Sequence, residues 1–434
     1  MIVDRIFHKI NSSKNHPYSY LSPHVYSVGE CSDDIHQGLI KAKQEKKKLV
    51  ILYPFDIPCI FKYKLTNRAL LNIKSDLIVD QGKYVTILSR MLMTCIYMPL
   101  RVAGLLLRKF SRFNLPDSYH FPQIGIRNIY VPEKPMKEFS FDSVRRYGWE
   151  KKFNETKDIT IRLNDNVHDG YEYRRIGLPR NCWFVCLHVR ESGFRSDEGR
   201  RELRNANILT YIPAIKEITS RGGWVVRMGD DTMTPLPSME NVIDYPFTKY
   251  KSDFMDLCLI QNCLFYIGSQ SGPHDIARLI SKNTLLVNMF AWNLDPRGIR
   301  GRGILKHVYS KREKRYLSIK ELLTRDWGAK SMDISHGVFD GDNYIASENS
   351  EGEISRAVLE YMDFLSNNDL SLTSKQKEFN EYRKIQGHHV LKSIRLTSPR
   401  THTDEDEMIE RSKVAALLES TQGTLCAGFL EENW

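Results

Sequence analysis

The chain has 434 residues, too many for one small core and enough for two domains. Hydrophobic content of 41% with 11% aromatics is that of a packed globular protein and excludes a disordered or fibrous chain. A net charge of +10 points to anionic partners, but the Lys and Arg are scattered and no zinc-finger or RNP-type signature accompanies them. Nucleic acid is therefore not expected among those partners.

The eight cysteines include no CxxC pair, and several sit within apolar runs, where a thiol acts as a small hydrophobe. The start, Met1-Ile-Val-Asp-Arg5, lacks a basic region followed by an apolar one, so a cytoplasmic location is expected. The first ~45 residues are polar and turn-rich and read as a lead-in arm. Lys48 to Pro54 is the first buried strand, a branched apolar run stopped by proline. A helix over Asn67–Ile73 and a strand over Asp76–Val79 continue the alternation.

Leu88 to Phe110 is the most apolar stretch, interrupted by Pro99 and Arg101 and carrying Arg90, Arg108 and Lys109. Three readings are open. It is a basic, apolar helix lying peripherally on an anionic membrane, a core helix kinked at Pro99, or a true span. A loop-rich region with Pro116, Pro122, Pro132 and Pro135 follows, then an irregular helix over 139–153.

The polar patch Asn164 to Gly170 marks the main domain boundary. Beyond Trp183 the alternation is regular. Strands at 182–187, 224–228, 264–267 and 284–287 alternate with helices near 207–221, 251–262 and 273–281, which implies βαβ units and a parallel sheet. The fold class is α/β, with two Rossmann-type domains facing a central cleft and a helical, partly disordered C-terminal tail. The domains are 1–165, 172–365 and a charged tail over 366–434. Pro296 to Gly303 reads as a Gly/Arg loop, either covering substrate or simply solvated. Glu353 to Phe364 is an amphipathic helix, and the last residues, Gly428 to Trp434, are expected to dock on the body.

Three strands deliver chemistry at their carboxyl ends, the edge where open parallel sheets bind ligands. The first ends in His188-Val-Arg190, and an Arg there can hold a diphosphate bidentately, with His188 orienting its neighbours. The alternative is that Arg190 pairs with Glu191 or Asp197 in its own loop. The second strand brings Arg227, Asp230 and Asp231, the acids suited either to ribose and base contacts or to turn formation. The third ends in Ser269-Gln270-Ser271-Gly272 before Pro273, a helix start whose N–H groups can cradle phosphate or be capped by Ser271. Asp340-Gly-Asp342 matches a short divalent-metal pattern that arises often by chance, and no metal site is expected.

These segments resemble a family of bacterial glycosyltransferases from surface-polysaccharide gene clusters. The likeness lies in Leu187-His-Val-Arg-Glu191, Arg204 to Tyr211, Gly223 to Asp231, Lys251-Ser-Asp-Phe-Met-Asp256, Gly268 to Gly272 and the ending Gly428 to Trp434. It covers about 47–350 and is strongest over about 176–290. More distantly, the H-x-R strand end is similar to that of the GDP-fucose-dependent fucosyltransferases, which have a GT-B fold and no catalytic metal. That resemblance implies Arg190 on the donor's β-phosphate, the acidic turn on base or ribose, and Glu198, or its neighbour Asp197, as catalytic base. Glu191 stands where many fucosyltransferases have a second Arg, which argues against a fucose donor. The implied activity is inverting, metal-independent transfer from a nucleotide-sugar to a growing, lipid-linked surface glycan, with no cofactor. The alternative is a non-catalytic nucleotide- or glycan-binding scaffold of the same fold.

Overall fold

The computed structural model describes residues 2–56, 67–110, 124–125, 161, 173–194, 202–290, 296, 298–327, 343–397 and 423–434. The chain divides into two compact units, Met1–Val131 with Lys151–His168 and Pro132–Glu150 with Asp169–Trp434.

The first unit is built on α1 (Ile2–Ser12), β1 (Tyr18–Leu21), α2 (Val28–Gln44) and β2 (Lys48–Ile51). β1 and β2 pair in parallel, Tyr18 opposite Lys48, so α2 is the crossover of a βαβ unit. Ile78 extends the same direction through a parallel bridge to Leu49, all that forms of the strand expected over Asp76–Val79. The helix expected over Asn67–Ile73 is a single 3-10 turn, Leu70–Asn72.

No lead-in arm is present: the first 44 residues hold the unit's opening strand and crossover helix. Their polarity misleads because α2 buries Ser32, Asp34 and Gln37 together with Ile35, Leu39 and Ile40, leaving no clean apolar stripe. Asp34 Oδ2 accepts the His24 N–H at 2.9 Å, which satisfies part of that buried charge.

α3 (Gly82–Phe110) is one continuous helix through Pro99. Met93, Thr94 and Tyr97 are its buried face. Tyr97 Oη lies 3.0 Å from Ser22 Oγ, and Thr94 Oγ1 accepts the Phe55 N–H at 2.9 Å. No helix among the described residues is long and apolar enough to cross a membrane.

The second unit holds a seven-stranded sheet. Its strands are β3 (Phe184–His188), β4 (Trp224–Arg227), β5 (Val242–Asp244), β6 (Tyr266–Gly268), β7 (Thr284–Met289), β8 (Arg302–Leu305) and, from the end of the chain, β12 (Thr424–Leu425). The spatial order is β12-β8-β7-β6-β3-β4-β5, and every pairing is parallel. β3, β6, β7 and β8 are buried at every position, and β3, β6 and β7 accordingly read as largely apolar runs rather than alternation. The chain enters at β3, moves outward through β4 and β5, then returns to lay β6 on the other side of β3. This is the doubly wound order, and its direction reverses between β3 and β6.

Helices α4 (Ile212–Ser220), α5 (Asp253–Asn262) and α6 (Gly272–Leu279) make the crossovers. A three-stranded antiparallel sheet, β9 (His307–Ser310), β10 (Arg315–Tyr316) and β11 (Tyr344–Ser347), follows β8. Beside it runs α7 (Ile319–Thr324), capped by Ser318 and Glu321. α8 (Glu351–Asn367) starts at a capping box of Ser350 and Glu353 and buries Ile354, Ala357, Val358 and Tyr361, one helical face. The chain is thus α/β, with a large parallel sheet and flanking helices.

Two expectations change. Arg302 and Gly303, read as the end of a loop, open a buried interior strand. The Arg302 guanidinium lies 4.1 Å over the Phe364 ring and donates to the carbonyls of Ile299 and Gly301, which hides its charge inside the unit. The described part of 366–434 is no loose tail either. α9 (Ser374–Thr397) buries Phe379 and donates from Gln376 and Arg383 to the carbonyls of Leu425 and Gly423 around β12. α10 (Ala427–Asn433) is held by Glu360, which accepts the N–H groups of Ala427 and Gly428.

Candidate functional site

The point where strand order reverses brings His188, the last residue of β3, and Arg190 beside Ser269 to Gly272, after β6. Gly268 permits the close approach, since a Cβ there would sit 2.4 Å from the His188 carbonyl oxygen. The Ser269 N–H donates to that carbonyl at 3.1 Å, and the Arg190 N–H donates to Ser269 Oγ at 2.8 Å. Ser269 is fully buried, so its hydroxyl fixes the Arg190 backbone rather than meeting a ligand.

His188 is buried, with Nδ1 3.0 Å from Ser271 Oγ. Burial, reinforced by the charge of Arg227 and opposed by Asp230, drives its pKa down to about 3. At neutral pH the ring is therefore uncharged and orients Ser271. Ser271 itself makes no side-chain capping bond to α6: its hydroxyl donates to the Ser269 carbonyl at 3.1 Å. The first turn of α6 thus starts at the sheet edge without a side-chain cap, the geometry that suits an anion. Gln270 is buried and accepts the Phe290 N–H at 2.8 Å, tying this turn to the end of β7. Gly272 is the first residue of α6 and half-buried.

The Arg190 side chain is half-buried, and its guanidinium donates to Asn205 Oδ1. The Asn205 main-chain carbonyl accepts Lys306 Nζ at 2.7 Å. Lys306 follows β8, 6% exposed, and burial lowers its pKa, against the charge of Glu348. Asn205 therefore holds two cations from two strand ends on the carboxyl side of one sheet. Sequence reasoning named Arg190 and missed Asn205 and Lys306. The signal was available, since Lys306 is a cation directly after an apolar run, but that run was hidden by the Gly/Arg segment before it.

The second strand end is arranged differently. Arg227 is 0% exposed, donating to Asp244 Oδ1 at 2.9 Å, to the Thr234 carbonyl at 3.0 Å and to Glu191 Oε1 at 3.4 Å. Its Nη1 and Nη2 donors face protein acceptors, so it organises the loop after β4. Glu191 also accepts the Thr234 N–H at 2.7 Å. Gly229 has φ +143 and gives the chain its turn. Asp230 Oδ1 accepts the Thr232 N–H at 2.8 Å, a turn-forming bond, and Asp231 is exposed beside it.

The other segments of the resemblance do local work. Ser252 caps α5 by accepting the Met255 N–H, Lys251 Nζ meets Asp256 at 2.5 Å, and Asn207 accepts the Leu209 N–H. Asp197, Glu198 and Asp340-Gly-Asp342 lie outside the described residues. Among the described residues no group of three or more His, Cys, Asp or Glu could hold a metal ion.

No protein-family model matches the chain, and no curated protein matches it. Among solved structures, it is similar to the glycosyl transferase family 9 protein from Veillonella parvula, with 9% identity and a TM-score of 0.40, over 81% of this chain and 99% of that one. It is also similar to the dodecameric iron-containing heptosyltransferase TibC, solved in complex with ADP-D-beta-D-heptose, with 11% identity and a TM-score of 0.33. That match covers 82% of this chain and 76% of TibC. At these identities and scores neither likeness assigns an activity or a ligand to this chain.

Proposed function

We propose that the chain is a glycosyltransferase of GT-B type that takes a sugar from a nucleotide-diphosphate donor and passes it to a growing, lipid-linked surface glycan. One observation carries this reading: Arg190 and the start of α6 meet where strand order reverses, with Lys306 held to the same Asn205. Such a crevice offers a fixed cation and an uncapped helix start to one anion. The donor's diphosphate sits between Arg190 and Gly272, with Asp231 turned to ribose or base. As the bond from the anomeric carbon to the diphosphate breaks, Arg190 takes up the charge that develops on the leaving oxygen. The acceptor hydroxyl attacks from the opposite face with inversion and gives its proton to Glu198, with Asp197 the second choice. His188, uncharged, holds Ser271 in place. The cations supply the leaving-group stabilisation, so a metal is not required.

The test is release of nucleoside diphosphate from a panel of nucleotide-sugars by the full chain in the presence of chelator. Glu198→Gln should bind donor normally and lower turnover by ~10²–10⁴-fold, as for a lost general base. No release from any donor overturns the reading. Full activity in both Glu198→Gln and Asp197→Asn overturns the assignment of the base alone, and complete dependence on manganese or magnesium overturns the metal-free mechanism.

A further inference from the structure

The exposed face of α3 is built inside out. Its protein-facing side carries the functional groups: Arg90 lies 4.3 Å over the Phe55 ring and 4.9 Å over Tyr53, beside the hydrogen bonds of Thr94 and Tyr97. Among the described residues, most of its apolar side chains face outward instead, Met93 and Tyr97 excepted. Tyr84 is 86% exposed, Leu88 68% and Leu92 58%, with Val85, Met91 and Met98 continuing the row. Tyr84, Leu88, Met91, Cys95, Met98 and Val102 recur every three or four positions, so they form one stripe along the helix. Of the 18 exposed large hydrophobic residues among those described, eight lie on this helix, which makes a patch rather than scatter. A contiguous exposed apolar row of this kind marks an interaction surface.

We infer that this face of α3 docks on an anionic lipid bilayer, the helix lying in the interface with Tyr84, Leu88, Met91 and Leu92 among the acyl chains. The charge pattern selects that occupant. Apart from Arg90, which packs on Phe55 and Tyr53, the helix has Lys83, Arg101, Arg108 and Lys109 in its sequence and no Asp or Glu. A second copy docked through the same face would set two basic helices together with no countercharge, whereas anionic headgroups provide it. An amphipathic helix with a basic complement and aromatic or aliphatic insertion is the form that interfacial binding takes. The surface lies in the first unit and stands independently of the donor-site reading.

The experiment is flotation of the full chain with phosphatidylcholine vesicles, with and without phosphatidylglycerol. The chain should float with the anionic vesicles and be released as salt shortens the screening length from ~30 Å at 0.01 M towards ~3 Å at 1 M. The double variant Leu88→Ser/Leu92→Ser should need about tenfold more lipid or greater for half-binding, with unchanged thermal unfolding, since both side chains are mostly exposed. Lys83→Glu/Tyr84→Ser, at the helix start, gives a second reading should the first pair fold poorly. Failure to float with anionic vesicles overturns the inference, as does equal flotation of both variants. So does a dimer in light scattering that the Leu variant converts to monomer while vesicles go unbound. Nucleoside diphosphate binding should be unchanged in the variants, so loss of flotation is distinguishable from failure of the donor site.

Discussion

Replacing His188 with Gln should flatten the acid limb of the second unit's stability. The ring is 5% exposed, and burial together with Arg227 depresses its pKa from 6.5 to about 3, with Lys251 and Arg190 adding to the effect and Asp230 opposing it. In the unfolded chain the ring titrates at its ordinary value. Below about pH 6.5 the unfolded state therefore binds a proton that the folded state refuses, and stability is lost as pH falls towards 3. The whole shift is worth about 5 kcal/mol at ~1.4 kcal/mol per pKa unit. Between about pH 7 and about pH 5 the loss from this one group is about 2 kcal/mol. Urea unfolding of wild type and His188→Gln across that range measures it, because the difference between the two proteins cancels carboxylates that titrate in both. Gln keeps a partner for Ser271 Oγ. Equal pH slopes in the two proteins would refute the buried, neutral imidazole, and with it the role of His188 as an uncharged orienting group.

Two further substitutions separate ligand contacts from scaffolding. Lys306→Met should weaken nucleoside diphosphate binding about tenfold, equivalent to ~1.4 kcal/mol, with Lys306→Arg recovering part of it, as calorimetry would show. Unchanged affinity would leave Lys306 as a prop for the Asn205 carbonyl alone. Arg227→Met should destabilise the second unit by about 3–5 kcal/mol in urea, because Glu191 and Asp244 lose the partner that justifies their partial burial. A loss under about 1 kcal/mol would mean the ion pairs contribute little.

The seven-stranded sheet was legible because β3, β4, β6 and β7 are short, largely apolar runs bounded by glycine and polar turns, and their alternation with helices allows little but a parallel sheet. His188–Arg190 and Ser269–Gly272 were placed at strand ends, but the switch point between them came only with the strand order, since β5 was not foreseen. β8 stayed hidden: Arg302 and Gly303 look like loop residues, and only tertiary packing shows that the guanidinium lies over Phe364. The same limit applies to Arg227. At a strand end it has the look of a ligand cation, but its register against Asp244 and the approach of Glu191 bury it, and both partners are distant in sequence. α2 was missed because buried Ser32, Asp34 and Gln37 erase the apolar stripe. The exposure of the α3 stripe was beyond the sequence too, since periodicity gives a face without saying whether it meets protein or solvent.

The central claim is that Arg190 and the start of α6 form a diphosphate site, and calorimetric titration of nucleoside diphosphates into wild type and Arg190→Lys tests it most directly. Lys lacks the planar fork, so the variant should lose a charge-assisted contact of about 1.5–3 kcal/mol, roughly tenfold to a hundredfold in Kd. Saturable binding by wild type with that loss in the variant is the predicted result. Absence of binding for every nucleoside diphosphate, or equal affinity in Arg190→Lys, would contradict it.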